Sequence, residues 1–402
     1  MDVQQKILPQ HPDRAAIQAE AHARPPLSID TNEAQIWHWV LHGVDTDSPM
    51  WPDVFDTARR HMILEREDGI IRYEKHTEFV SLTFCGVQAP NDDTCRLIKQ
   101  CGGTQLAGVK VQISKSKNTS IASVFKGARV FGGEALFAGC FALTDFRIRG
   151  DGMVQYLVQG KFEDGYARGR LVKRLLDLET YRMAALMGLP KVREASQTLE
   201  TFEERAAKIT KLLAHNDVEE LDAIIKSLSK ILAELVAFKD SIRFRVEASL
   251  AYYSIVQARL ASLDETSIGQ QQTLDGFVVH RLNPAINTIK AFGRRVDSLS
   301  DSVAAAMALA RTQLDLIKQE QNQNVLQSME RRARQQIHIS QAVEGLSVAA
   351  ITYYAIGLLG TVIQGLPNLP ISPDPWKAAL VPIIAGAIWY NVRRARKKID
   401  KL

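Results

Sequence analysis

The sequence predicts an α+β cytoplasmic domain, then a long helical, coiled-coil stalk, then a C-terminal two-helix transmembrane hairpin. Three observations carry this reading. Residues 35–163 contain short runs of β-branched and aromatic residues in period-two alternation. From Glu163 onward apolar residues recur at steps of three and four. Near the end, two apolar runs flank a proline-rich loop and are bordered by Arg and Lys. The expected parts are an N-terminal helix and linker (1–34), an α/β domain (35–163), a helical bundle (164–283), a long stalk helix (284–345), the hairpin (346–392) and a basic cytoplasmic tail (393–402).

Taken in order, AAIQAEAHA, Ala15 to Ala23, reads as a short helix stopped by Arg24-Pro25-Pro26, because a residue before proline is pushed out of the helical region. The opening MDVQQKILPQHPDR lacks the basic and apolar segments of a signal peptide, so the large N-terminal part is expected on the side of synthesis. A helix is expected over Trp51 to Glu65, then strands at Ile70 to Glu74 and Glu78 to Phe84. Further strands are expected in the apolar runs Gly108 to Ile113, Ala135 to Asp145 and Met153 to Val158, giving a mainly antiparallel or mixed sheet.

The helical part begins with Leu171, Leu175, Leu178, Arg182 and Leu186 near helical spacing, and Gly188 and Pro190 are expected to end that helix. Thr198 to Ala214, Val218 to Phe238 and Ser241 to Leu263 follow as amphipathic helices. Asn283-Pro284 is expected to open the last long helix, since proline suits a first turn. No proline interrupts Ala285 to Leu366, so an unbroken helix there would run about 120 Å, with breaks readable at Gln319 to Asn324 or at Gly345. A polar helix that long and narrow asks for partners, and the small residues around Ala304 to Ala310 permit close approach. Self-association is the preferred partner; packing back on the chain's own helices is the alternative.

The first apolar run, Leu346 to Leu366, has no charge and extends roughly 30 Å. The second, Trp376 to Val392, is shorter and carries Lys377 and Pro382, so it spans only with local thinning or snorkelling. A buried core hairpin of a soluble domain is the other reading of the pair. Arg331, Arg332 and Arg334 precede the first run, and Arg393, Arg394, Arg396, Lys397 and Lys398 follow the second. By the positive-inside rule both flanks, and with them both termini, lie in the cytoplasm of a cell bounded by an inner membrane. These side chains also suit anionic lipid headgroups, at roughly 1 kcal/mol each, so the lipid bilayer is the expected partner. The formal net charge is +5, and the last ten residues, with six basic and one acidic side chain, account for all of it. The rest of the chain is neutral, which removes support for a nucleic-acid role.

Residue patterns offer few sites. EKHTEF would place Glu74, His76 and Glu78 on one strand face, suited to a divalent cation or proton transfer, although a surface strand with a salt-linked histidine reads identically. His22 would border that site if the N-terminal helix packs there. His38 and His42 suit a metal only with a third ligand from elsewhere. Phe131-Gly132-Gly133-Glu134 lacks the Lys-Ser/Thr of a phosphate loop and reads as a turn. The four cysteines show no CxxC spacing. Glu344, Thr352, Thr361, Gln364 and Asn368 are the polar positions that a pore through the hairpin would use. No cofactor, metal or small molecule is assignable, and no catalytic signature is present.

Four stretches together resemble a bacterial family of membrane-anchored proteins, the domain of unknown function 3422 family. They are HPDRAAIQAEAHARPP from His11, EKHTEF from Glu74, LLDLETYRMAALMGLP from Leu175 and SMERRARQQIHISQAVEGLSVAAITYYAIGL from Ser328. The resemblance implies a membrane anchor and assigns no activity. In layout alone the chain is similar to CorA-like magnesium transporters, whose Gly-Met-Asn signature is absent here: that place reads Gln364-Gly365-Leu366-Pro367-Asn368. The expected function is a homo-oligomeric scaffold or interaction protein; an ion transporter or channel and an enzyme built on His76 are the alternatives.

Overall fold

A computed structural model of the chain describes residues 11–15, 17–18, 26–114, 121–213, 218–364 and 373–399. His22, Arg24 and Asn368 lie outside the described residues, as do the side chains of Gln364, Arg396, Lys397 and Lys398. The chain divides into two units, residues 1–214 with 226–307, and residues 215–225 with 308–402.

The first unit holds an eight-stranded sheet of β1 (Ala34–His42), β2 (His61–Arg66), β3 (Gly69–Lys75), β4 (Phe79–Gly86), β5 (Thr104–Ser114), β6 (Phe131–Glu134), β7 (Phe141–Ile148) and β8 (Val154–Gln159). Their order is β2-β3-β4-β1-β5-β8-β7-β6. Only β5 and β8 run parallel, so the sheet is mixed as its alternation predicts. Edge strand β6 is closed off by the segment after residue 263, with Thr266 N donating to Glu134 O at 2.8 Å and Gly132 N to Gln272 O at 2.9 Å.

Period-two alternation sends Ile71, Tyr73, Val80, Leu82 and Phe84 to one face, where they pack with Trp51, Phe55 and Ile98. Ile98 comes from helix α1 (Asp92–Gln100), capped by Asn91. Short helix α2 (Ile121–Phe125) buries Phe125 against Leu143 and Leu157. Val40, Phe79 and Ala107 pack on the other face with Ala184 of α3 (Gly165–Leu186), whose first turn is capped by Asp164 accepting from Ala167 N at 2.6 Å. A strap at residues 26–32 crosses α3: Ile29 N bonds Gly165 O at 3.0 Å, and Arg168 Nε donates to Ile29 O at 2.5 Å.

Several expectations need correction. Trp51 to Glu65 is no helix; turns lead into β2, and the apolar spacing reflects Trp51 and Phe55 folding their rings onto Tyr73, at 6.0 and 5.4 Å. Residues 131–134 form a strand rather than a turn, their glycines letting the Ala142 and Thr266 carbonyls approach closely. Helix α3 ends at Leu186 as expected, but the next helix starts earlier than Thr198: α4 (Gly188–Leu212) begins directly after Met187, with Pro190 in its first turn.

The two helices expected between 218 and 263 are one, α5 (Val218–Leu263), its polar middle lying on an exposed or half-buried face. Helix α6 (Leu274–Gln364) begins before Asn283-Pro284, because Leu274, Val278 and Leu282 are buried one turn apart and hold the turn that Pro284 weakens. It runs 91 residues, roughly 135 Å, through Gln319–Asn324 and Gly345 without a break. Phe202, Phe238 and Phe292 link α4, α5 and α6, with ring centroids 5.6 and 6.4 Å apart.

Helix α6 contains an apolar stretch that is largely uncovered. Among the described residues α6 is the one helix long and apolar enough to cross a membrane. The second expected span forms helix α7 (Pro373–Ile399); its described residues do not reach that apolarity.

Candidate functional site

The polar centre of the first unit lies between the sheet and α3. Alternation along β3 puts Arg72 and Glu74 on the α3 side, two residues from one another and both buried. On α3 the spacing of Arg170, Lys173, Arg174, Asp177 and Tyr181 aligns them along one side. The two stripes meet. Glu74, 1% exposed, accepts from Arg72 Nη2 at 2.9 Å and from Lys173 Nζ at 3.2 Å. Lys173 Nζ also donates to Asp177 Oδ1 at 2.7 Å, and Arg259 of α5 donates from Nε to Asp177 Oδ2 at 2.9 Å. Burial alone would raise the Glu74 carboxyl's pKa; Lys173 and Arg72 outweigh it and hold it at about 2.

Beside this network His38, 3% exposed, is held between two threonines. Its Nδ1 lies 2.8 Å from Thr83 Oγ1 and its Nε2 lies 3.0 Å from Thr180 Oγ1. The Thr180 hydroxyl spends its proton on Leu176 O at 2.8 Å, so it accepts from His38, whose proton sits on Nε2 while Nδ1 accepts from Thr83. Burial, then Lys173, drives the ring's pKa down to about 3, and the imidazole is neutral. With both nitrogens occupied, His38 is a structural residue.

The structure breaks the strand face that the EKHTEF pattern suggests, although His76 stays near enough for its charge to favour the ionised Glu74. β3 ends at Lys75 and β4 begins at Phe79, so His76 and Glu78 belong to a tight turn in which His76 N donates to Phe79 O at 2.9 Å. Glu74 is buried in the network, and the His76 ring stacks on Phe79 at 4.4 Å. Glu78 accepts from Tyr252 Oη at 2.8 Å and from Arg245 Nη2. The strand face expected for the three does not exist. Among the described residues no group of three His, Cys, Asp or Glu is placed to hold a metal.

The side chains brought together instead line a cleft of about 320 Å³ bounded by His76, Arg170, Lys173, Arg174, Asp177 and Arg259. Sequence reasoning passed over this stripe. Its signal was visible: five polar residues at helical spacing along one side of a helix that is largely buried.

Further along the chain, Arg331, Arg332 and Arg334 are exposed, and Arg334 Nη2 pairs with Glu330 Oε1 at 2.5 Å. Glu344 is half-buried. Thr352 is buried, its hydroxyl donating to Val348 O at 2.7 Å, and the exposed Thr361 donates to Leu358 O at 2.8 Å, so both hydroxyls are satisfied within α6. Arg393 lies 4.8 Å over the Trp389 ring, and Arg394 is exposed.

No curated protein matches the chain. Among solved structures it is weakly similar to the full-length CmaX protein, at 11% identity and TM-score 0.22, over 92% of this chain and 100% of that one. The CorA magnesium transporter from Methanocaldococcus jannaschii shows 12% identity and TM-score 0.19, over 81% of this chain and 96% of that one. The family described as "Protein of unknown function (DUF3422)" matches residues 9–399, and the chain belongs to that family.

Proposed function

We propose that the protein is a homo-oligomeric scaffold anchored in the inner membrane by a two-helix hairpin, with both termini in the cytoplasm and the α+β domain as its interaction platform. One observation carries the reading. From Asp315 to Val343 every position of α6 except half-buried Ile317 is exposed, among them Leu316, Val325, Leu326, Met329, Ile337 and Ile339. A helix with so much uncovered apolar surface is poorly stabilised alone, and association with copies of itself covers that surface.

The hairpin is supported by burial spacing. The less exposed positions of α6 recur at Glu344, Val348, Thr352, Ile356 and Gly360, and those of α7 at Leu380, Ile384, Ile388 and Val392. One covered stripe on each is what two helices laid side by side would leave. The exposed rings of Tyr353, Tyr354, Trp389 and Tyr390 suit the membrane interface, and basic residues on both flanks support cytoplasmic ends. Light scattering of the intact protein in detergent is expected to give a mass of several chains; a single-chain mass sinks the scaffold reading. A cysteine placed at Ser372 is expected to react with an impermeant reagent only from the far side of the membrane.

An ion transporter or channel is the second reading, resting on the long helix that leads into an apolar segment. At roughly 100° per residue Thr361 lies on the side of α6 opposite Thr352, so one face of α6 does not present Glu344, Thr352 and Thr361 together to a pore. Vesicles carrying the protein whose cation flux equals that of empty vesicles remove this reading.

A further inference from the structure

We propose that the cleft between the β3–β4 turn, α3 and α5 is a binding site for a phosphoryl group carried on a small molecule, with Arg170, Arg174 and Arg259 as its ligands. The proposal does not rest on the scaffold reading, because every residue involved belongs to the first unit.

The charge balance of the cleft points to an anion. Among the described lining residues Arg170, Lys173, Arg174 and Arg259 meet one carboxylate, Asp177, and behind them Arg72 and Lys173 share Glu74. Both carboxylates are already engaged, Glu74 by Arg72 and Lys173, and Asp177 by Lys173 and Arg259. Among the described residues no carboxylate pairs with Arg170 or Arg174. Arg170 has only the Phe137 ring, 5.5 Å from its guanidinium carbon. Arg174 is the telling residue: its Nη1 is buried with no hydrogen-bond partner. Burial, and the like charges of Arg259 and Arg170 beside it, lower its pKa from the ordinary arginine value. A buried guanidinium N–H without an acceptor is costly, and a bound anion is one of the things that satisfies such a group.

The chemistry of the donors narrows the ligand. Guanidinium forks match the spacing of phosphate oxygens and bind them bidentately. The surplus of positive charge suits a dianion better than a single carboxylate, which would leave most of it uncompensated. Asp177 is a positioning residue here: by accepting from Arg259 and Lys173 it fixes the direction in which their remaining N–H groups point. The volume, about 320 Å³, lies at the lower end of small-molecule sites and suits a phosphomonoester with a short organic body. A soluble phosphomonoester and a phosphomonoester lipid headgroup share that chemistry.

The test uses the full chain in uncharged detergent, with glycerol 3-phosphate as the soluble probe and nanodiscs containing phosphatidic acid as the lipid probe, at constant ionic strength. Saturable binding by calorimetry or a shift in melting temperature is expected for one of them. Arg174→Gln and Arg259→Gln are each expected to weaken it about tenfold or more, the usual consequence of removing a charge-assisted bond. Arg174→Lys, which keeps charge but loses the fork, is expected to fall between. Binding of the soluble probe identifies a free metabolite; binding of the nanodisc alone identifies a headgroup. Ligand-free Arg174→Gln is expected to melt no lower than the wild type, since it removes a half-buried guanidinium whose Nη1 has no partner. Arg170→Gln changes an exposed side chain, so it tests binding without threatening the fold. Equal affinity in the wild type and all of these variants, or binding of neither probe, overturns the proposal.

Discussion

Replacing Glu74 by Gln keeps the shape of the side chain and removes its charge, which leaves the Arg72 guanidinium and the Lys173 ammonium facing a neutral amide. Arg72 is buried and Lys173 partly so, and breaking a buried pair by neutralising one partner costs about 3–5 kcal/mol. An independent route gives a similar figure. A carboxyl held at about 2 instead of 4.5 contributes about 3.4 kcal/mol at neutral pH, at about 1.36 kcal/mol per pKa unit. For a unit of about 300 residues, with unfolding entropy near 2.1 cal/mol/K per residue, this lowers Tm by roughly 5–8 °C. Because the folded pKa is depressed, the contribution is complete above pH 4.5 and is lost as pH falls through 4.5 towards 2. The assay is a thermal melt of the intact protein and of Glu74→Gln, followed by circular dichroism at pH 7, 5, 4 and 3. The gap between the two is expected to be full at pH 7 and to close on acidification. A gap below about 2 °C at pH 7 refutes the assignment of Glu74 as the anchor of the network, as does a gap unchanged at pH 3.

Other perturbations test other parts. His38 takes a proton at about 3 when folded and at 6.5 when unfolded, so its contribution is present above pH 6.5 and is lost as pH falls towards 3. Chemical denaturation is expected to show about 2 kcal/mol of this loss between pH 6.5 and 5, and His38→Gln is expected to lack it. Gly169→Ala would drive a methyl group into the Leu27 carbonyl, costing about 1–3 kcal/mol and speeding proteolysis of residues 26–30. Leu326→Glu combined with Met329→Glu places charge on the exposed side of α6, and light scattering is expected to report a fall in mass towards a single chain.

Strand content was legible where alternation was long and flanked by turn residues: Ile70 to Glu74, Gly108 to Ile113 and Met153 to Val158 all lie in strands or begin within a residue of one. The break at His76-Thr77-Glu78 was legible as the gap between the strands expected at Ile70 to Glu74 and Glu78 to Phe84, but with no Gly, Pro or Asn to mark a reversal, EKHTEF also read as one strand face. Proline misled in the opposite sense. Pro284 lies inside α6, because burial of Leu274, Val278 and Leu282 on the preceding turns outweighs one lost backbone bond. The basic cleft required two elements distant in sequence, α3 and Arg259 of α5, and no spacing rule relates Asp177 to a residue 82 positions away. Only the α3 half of the site, from Arg170 to Asp177, was there to be read, as charge where a buried helix should have none.

The strand order also dictates a sequence of assembly. β2-β3-β4 and β6-β7-β8 join neighbours in the chain and close as local hairpins, whereas β1 must find β4 and β5, and β5 must find β8. Ladders between distant segments form slowly, because loop closure precedes the gain from pairing. During synthesis His38 has no strand to pair with until Thr83 has been made, and Val109 waits for Val154. The free edge in that interval belongs first to β1, until β5 is made, and then to β5, until β8 is made, and both strands are rich in apolar side chains. The nascent chain is therefore most prone to aggregate while the centre of its sheet is still open, and slowing translation after residue 114 should lengthen that exposure.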